Sequence, residues 1–398
     1  MISLINTSII RSSFIQSWLV EYWDSSRWDQ EFESMYNLGF DSLIIQSIFD
    51  ETYSNGHGSK WFDETLTNSR ILFPSPHYQI SGVTYIRDHL KLAFESAKKF
   101  NMKIHIGLAY DSRFWKWGWT IPEVPNGESD LFVSSYLRQW IDHNVNQSQT
   151  IINEIWDIYG SNYSEQIASW YMVNEIWNID QGCKQTDNQI HAKLFGHMIS
   201  GYVNASVNYG GGKPIMLSPF VNFGLSNASE NSVFWTQLLS FSNMRSIDIL
   251  APQDSLGNNE NFISTFGEWM SGWKTAADSK GVQLWVNNEC FGPNYVSASI
   301  ERFGQQYSIT HMYTNNHIMF SWNHYYNPLY NSSFTDLNNQ FKDFLVTQYN
   351  NQQNCPSATS PPGNPIVLIA ALLVFIGVGA LLYFRIIKKE PDTSGLSV

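Results

Sequence analysis

Between Ser13 and about Tyr349 short apolar runs alternate with longer stretches whose apolar positions recur every three or four residues. The short runs predict buried strands, and the longer period predicts amphipathic helices. Eight runs qualify as strands: Ser13–Trp18, Ser42–Ser47, Lys103–Tyr110, Ile167–Asn174, Pro214–Phe220, Ile247–Pro252, Gln283–Asn288 and His317–Trp322. Helical patterning covers Arg27–Leu38, His89–Phe100, Leu131–Tyr159, Gln189–Asn208, Asn261–Asp278, Ser297–Tyr313 and Phe334–Tyr349. Gly39, Gly160, Gly210 to Gly212 and Gly281 stand where a helix must stop before the next strand, a place for a left-handed cap. Strands alternating with helices, without a second core or an internal repeat, predict an α/β chain: a single (β/α)8 barrel over residues 1–349.

The pattern changes abruptly after Tyr349. Residues 350–365 form an uncharged Asn-, Ser- and Pro-rich stretch that reads as a flexible linker. Ile366–Phe384 is an unbroken apolar and glycine run, long enough as a helix to cross a bilayer of roughly 30 Å. It has no polar face for a core helix to turn outward, so the expectation is a transmembrane helix after the barrel. Arg385, Lys388 and Lys389 follow it, which predicts a cytoplasmic tail over residues 385–398 and a barrel on the extracellular or lumenal side. The first eleven residues lack the apolar core of a secretory signal, which speaks against that topology. Six Asn-x-Ser/Thr sequons, at Asn6, Asn146, Asn162, Asn204, Asn227 and Asn331, are compatible with a glycoprotein, although about five arise by chance in so Asn- and Ser-rich a chain.

A formal net charge of −12, with no cluster of Lys or Arg before the extreme C-terminus, excludes a nucleic-acid groove. The three cysteines, Cys183, Cys290 and Cys355, are too scattered for a metal cluster or a disulfide framework; free buried thiols are preferred to a Cys183–Cys290 bridge. No phosphate loop, metal-ligand helix or nucleophile elbow is present, and no metal or other cofactor is expected.

Candidate chemistry follows from the barrel, whose functional groups sit at the C-terminal ends of the strands. Two runs end in a glutamate: Trp170-Tyr-Met-Val-Asn-Glu175 and Leu284-Trp-Val-Asn-Asn-Glu289. A pair of carboxyls is what glycosidic cleavage needs, one to protonate the leaving oxygen and one to attack or to activate water. The other strand ends supply Gln16, Trp18, Gln46, Tyr110, Asp111, Asn174, Ser218, Asn222, Gln253, Asp254, Asn288, Trp322 and His324. This amide-rich, aromatic-bearing set suits hydroxyl groups, and hence an oligosaccharide, polysaccharide or glycoconjugate. Each residue also has a plainer role. Glu175 and Glu289 could be structural carboxylates paired with a neighbour; Asp254 could orient a glutamate, bind hydroxyls, cap the helix near Asn261 or shape the Gly257 turn. His324 suits a structural hydrogen bond, and the aromatic loop Arg113–Trp119 either stacks on further sugars at the rim or packs on itself.

An Asn-Glu pair ending the fourth strand, a second glutamate ending the seventh and a Trp ending the eighth resemble clan A of the glycoside hydrolases. The chain also resembles a glycosidase-like TIM-barrel family known as domain of unknown function 4434. Four blocks carry that likeness: Ser13–Trp18 with Trp28, Trp170–Glu175, Ile247–Gly257 and Trp285–Glu289. The resemblance implies a retaining hydrolase in which Glu175 is the general acid/base, Glu289 the nucleophile roughly 5 Å away, Asn174 a hold on the adjacent hydroxyl and Trp322 an apolar floor. A tyrosine and an arginine that clan members often carry near the nucleophile have no match in the sequence. That departure keeps open a catalytically inactive carbohydrate-binding or adhesive surface protein.

Overall fold

The computed structural model describes residues 9–54, 64–78, 84–85, 87–117, 136–178 and 185–354. Residues 1–349 form one compact unit and 350–398 a second, of which only the first residues are described.

All eight expected strands are present: β1 (Ser12–Ile15), β2 (Ser42–Ile45), β3 (Lys103–Gly107), β4 (Ile167–Met172), β5 (Ile215–Leu217), β6 (Ile249–Leu250), β7 (Gln283–Leu284 and Val286–Glu289) and β8 (His317–Phe320). They pair in parallel in chain order, and β8 returns to β1. The strand β7 closes the ring in two segments, Gln283–Leu284 on β6 and Val286–Glu289 on β8. Between them the Trp285 N–H donates to Leu250 O at 2.9 Å, while its ring turns into the barrel. The fold is therefore a parallel α/β barrel of nine strand segments. Strands β5 and β6 are shorter than their apolar runs because Pro214, Pro219 and Pro252 bring no N–H to the ladder.

Phe14, Ile44, Tyr171, Met216, Ile249, Trp285 and Ile318, one from each of seven strands, fill the interior. On β3 the inward residue is His105, edge-on to Trp285 with ring centroids 5.7 Å apart and bonded to Ser169 and Ser42. Burial pushes this imidazole down to about 3, so it stays neutral. Gly107 ends β3 without a side chain because a Cβ there would stand 2.1 Å from Gln46 O.

Outside the strands lie α1 (Ser25–Asn37), α2 (His89–Lys99), α3 (Tyr136–Tyr163), α4 (Gln185–Tyr209), α5 (Ala228–Ser240), α6 (Phe266–Lys280), α7 (Ile300–Thr310) and α8 (Thr335–Asn354). Their apolar faces meet the outer face of the sheet in the main core. Three expectations change. Gly160 does not end a helix, since α3 runs through it to Tyr163; Gly39, Gly211, Gly212 and Gly281 do adopt positive φ. The helix α8 continues to Asn354, into the segment read as a linker. The helix α5 was not anticipated, although Asn227 and Glu230 form a capping box that marks its start. A small second sheet was also unforeseen: Phe49–Tyr53 pairs with Leu66–Ile71 and Ala109–Asp111, and Thr84–Tyr85 joins its edge. It stands beyond the C-terminal ends of β2 and β3, so the run Lys103–Tyr110 serves two sheets. Among the described residues no helix is long and apolar enough to cross a membrane; Ile366–Phe384 lies outside them.

Candidate active site

The cleft lies at the C-terminal ends of the strands and consists of two cavities, about 400 and 380 Å³, that share Glu175 and Trp115. Gln16, Trp18, Gln46, Tyr110 and Asn174 line the first; Gln253, Glu289, Phe291 and Tyr295 line the second. The two glutamates thus face a common space from β4 and β7.

Glu175 follows Asn174 just beyond β4, where the backbone has left the ladder but is still held by the strand. Asn174 Oδ1 accepts from the Tyr202 hydroxyl at 3.1 Å, which ties the strand end to α4. Glu175 Oε1 accepts one bond, from Gln253 Nε2 at 3.2 Å, and the same nitrogen donates to Ser218 O at 2.9 Å. Burial raises the Glu175 carboxyl to about 7, against a modest pull downward from Gln253.

Glu289 ends β7 and is 6 % exposed. Its Oε2 accepts from the Gly257 N–H at 2.7 Å. Gly257 must be glycine, because a Cβ would meet the Phe291 ring at 2.4 Å and Glu289 Oε2 at 2.8 Å. Burial first, and then the negative charge of Asp254, push Glu289 up to about 8; Glu175 adds to the rise, and Arg302 opposes it.

Asp254 lies behind this glutamate and is fully buried. Its oxygens accept from Glu289 N, Leu256 N, Asn288 Nδ2 and Gln306 Nε2 at 3.2, 3.3, 3.1 and 2.6 Å. Four donors suit an acceptor-only, ionised carboxylate, and they leave no oxygen for substrate. Of the roles open to it, orienting the glutamate is the one this geometry fits. Asn288 is likewise internal, bonded to Asp254, Thr310 and His317.

Three other candidates stand away from the cleft. Asp111 is buried under the Arg113 guanidinium, with contacts of 2.7 to 3.0 Å, and under Trp140 Nε1 at 3.1 Å. Trp322 begins a short helix past β8, is 1 % exposed and donates to Asn338 on α8 at 2.9 Å. The aromatic that ends β8 is Phe320, packed between Phe14 and Phe291. His324 stacks on Tyr325 and supports Trp18 edge-on at 5.7 Å.

Trp115, from the aromatic loop expected at the rim, and several residues without a sequence signal complete the walls. Trp115 lies on Trp177 with planes 17° apart, and Trp177 packs on Phe220. Arg302, from α7, donates to Glu289 O and Phe291 O, gripping the backbone under the glutamate rather than its carboxylate. Tyr295 lines the Glu289 cavity and is 68 % exposed. An Arg and a Tyr therefore do stand near Glu289, from segments whose spacing in sequence carries no motif.

Among the described residues Glu51, Asp111 and His143 come close enough to share a metal ion. Arg113 already covers Asp111, and Gln147 and Tyr53 donate to Glu51 at 2.7 and 3.0 Å. This donor set fits a neutralised buried network rather than a metal. Cys290 is a buried free thiol; Cys183 lies outside the described residues.

Replacing Glu175 by Gln tests its environment. A carboxyl raised from 4.5 to about 7 stabilises the fold fully below pH 4.5, and that contribution is lost as pH rises through 7, by about 3 kcal/mol in all. Glu175→Gln is expected to raise Tm at pH 8.5 and to change it little at pH 4.5. A difference independent of pH in thermal unfolding would contradict the buried, proton-holding environment.

No curated protein matches the chain. Among solved structures, a "putative alpha-L-fucosidase" from Bacteroides thetaiotaomicron superposes with a TM-score of 0.62 at 18 % identity, covering 86 % of this chain and 94 % of that one. An endo-1,4-beta-mannanase from Rhizomucor miehei gives 0.47 at 11 % identity, covering 85 % and 95 %. A GH99 endo-alpha-mannosidase from Bacteroides thetaiotaomicron gives 0.46 at 9 %, covering 88 % and 100 %. The first of these supports the barrel fold. Residues 10–332 match the family described as Domain of unknown function (DUF4434), and the chain belongs to that family.

Proposed function

We propose that the protein is a glycoside hydrolase that cleaves an O-glycosidic bond with retention, through Glu175 and Glu289. The observation that carries this reading is the pair itself: two carboxyls from β4 and β7 line one space, and each has its proton affinity raised there. In the first step Glu175 gives its proton to the leaving oxygen while Glu289 attacks the anomeric carbon, forming a glycosyl ester. In the second, Glu175 takes a proton from water, which displaces Glu289 and restores the starting configuration. Burial holds a proton on Glu175 close to neutral pH, as the first step requires.

A second reading, carbohydrate binding without cleavage, is favoured by one observation. Burial, and then the charge of Asp254, raise the proton affinity of Glu289 to about 8, whereas the attacking group must be ionised. The two readings part on a mechanism-based probe. With the full chain, a panel of 2-deoxy-2-fluoroglycosyl fluorides is expected to label Glu289 and to leave Glu289→Gln unlabelled. Glu175→Gln is expected to lower kcat by about 100- to 10,000-fold on glycosides with poor leaving groups. Glycan binding without labelling or turnover would establish the binding protein instead.

Asp254→Asn gives a pH test of the same pair. Removing the buried charge lowers the affinity of Glu289 for its proton, so the limb of the kcat/KM profile set by Glu289 ionisation moves to lower pH. The limb set by Glu175 losing its proton stays near 7, and the optimum becomes more acidic. An unmoved profile would remove Asp254 from the control of Glu289.

The apolar run 366–384 supports a tether to a bilayer, with the barrel on the side opposite the basic tail. Resistance of the protein to alkaline carbonate extraction is the expected result, and release into the soluble fraction would contradict it.

A further inference from the structure

The cavity on the far side of Glu175 from Glu289 contains polar groups that the two-carboxylate chemistry does not use. Gln16, at the end of β1, is 8 % exposed, and its Oε1 has no hydrogen-bond partner among the described residues. It lines this cavity. The Gln16 amide carries an acceptor and a donor side by side, and a sugar hydroxyl, which both donates and accepts, is the ligand group that matches it.

Beside it stands Asp50, from the second sheet. Ser17 and Ser47 hydroxyls each donate to one of its oxygens, and Arg70 Nη1 lies 3.7 Å away. Arg70 is also held by Glu21 at 3.3 Å. The Arg70 guanidinium is thus already shared by two carboxylates, so it is not a free cation with which this wall could hold an anionic ligand, while burial raises the proton affinity of Asp50 against its two hydroxyl donors and Arg70. Across the space Trp18 presents a ring that is 48 % exposed and braced by His324, a flat face for a sugar ring. Asn68 and Thr52, both exposed, complete the polar rim.

The two cavities meet at Glu175. The residue that protonates a glycosidic oxygen sits where two sugar units are joined, so space on both sides of it is space for both units. We infer that the cavity walled by Gln16, Asp50, Arg70 and Trp18 binds an uncharged, hydroxyl-bearing sugar unit joined to the one that is cleaved. The substrate is then a neutral oligosaccharide or glycan chain gripped on both sides of Glu175. The inference rests on the glycosidase reading for the position of the scissile bond, and on the wall itself for the chemistry of the ligand.

The test separates the two. The full chain carrying Glu289→Gln, solubilised in detergent, is applied to arrayed neutral manno-, gluco-, galacto- and xylo-oligosaccharides and to their uronate-containing counterparts. Binding to a neutral series is expected, weakened about tenfold or more by Asp50→Asn. Trp18→Ala and Asn68→Ala, at exposed positions, give the same loss where Asp50→Asn fails to fold. In the active protein, the preference for aryl disaccharides over aryl monosaccharides, read as a ratio of kcat/KM, falls about tenfold in these variants. Glycan binding that these variants abolish, without turnover of any substrate, ends the glycosidase reading and leaves the sugar site standing. Turnover with an unchanged ratio, preference for uronates, or no glycan binding at all overturns the site.

Discussion

The barrel closes because one strand serves two neighbours with two different segments. Gln283–Leu284 completes the ladder of β6, Val286–Glu289 that of β8, and Trp285 between them bonds outward through its N–H while filling the interior with its ring. The second segment keeps its other edge bonded as well, since Asn287 pairs with Gln253 beyond β6, its N–H donating to Pro252 O and its carbonyl accepting from Asp254 N. Glu289, the last residue of the second segment, is delivered to the cleft opposite Phe320 of β8. Its grip is reinforced from behind, where Asp254 accepts the Glu289 N–H and Gln306 and Arg302 hold the carbonyl.

Three buried carboxyls in this region compete for fewer protons than they have places. Burial raises the proton affinity of all three; the four donors around Asp254 oppose that rise and make it the natural carrier of the charge, which adds to the effect of burial on Glu289, whereas Glu175 is raised by burial alone. A positive charge developing in this cleft would be stabilised by the ionised member of the group.

The strands that build the barrel are legible because each carries a short cluster of buried aliphatic or aromatic residues, even where Ser, His or Asn interrupts it. The elements that were missed are those without such a signature. Leu66–Ile71 is exposed over its first half and carries Thr, Asn, Ser and Arg, so neither alternation nor a run betrays it. The helix α5 shows its capping box more clearly than its periodicity. At the site, Glu175 and Glu289 were found by counting strand ends. The same rule carried Asp111, Asp254, Asn288 and Trp322 into the candidate set, because a position at a strand end does not tell which way the side chain turns. Each of these four is already occupied by a bond partner from a different element, and such partners, Arg113, Gln306, His317 and Asn338, are far away in sequence or unremarkable there.

The second sheet has its own ladder, joined to the barrel through a few bonds such as Ile48 N to Gly107 O and Leu72 N to Ile48 O. Asp50, Thr52, Asn68 and Arg70 project from it, yet none of them takes part in closing the ring. The sheet thus stands on the barrel without completing its ring, tied to it at Asp50, which accepts from Ser17 and Ser47 beyond β1 and β2. Exposed residues on this sheet, Thr52 and Asn68, can therefore be exchanged to reshape the cavity wall while the ladders of β4 and β7, which hold the two glutamates, are left untouched.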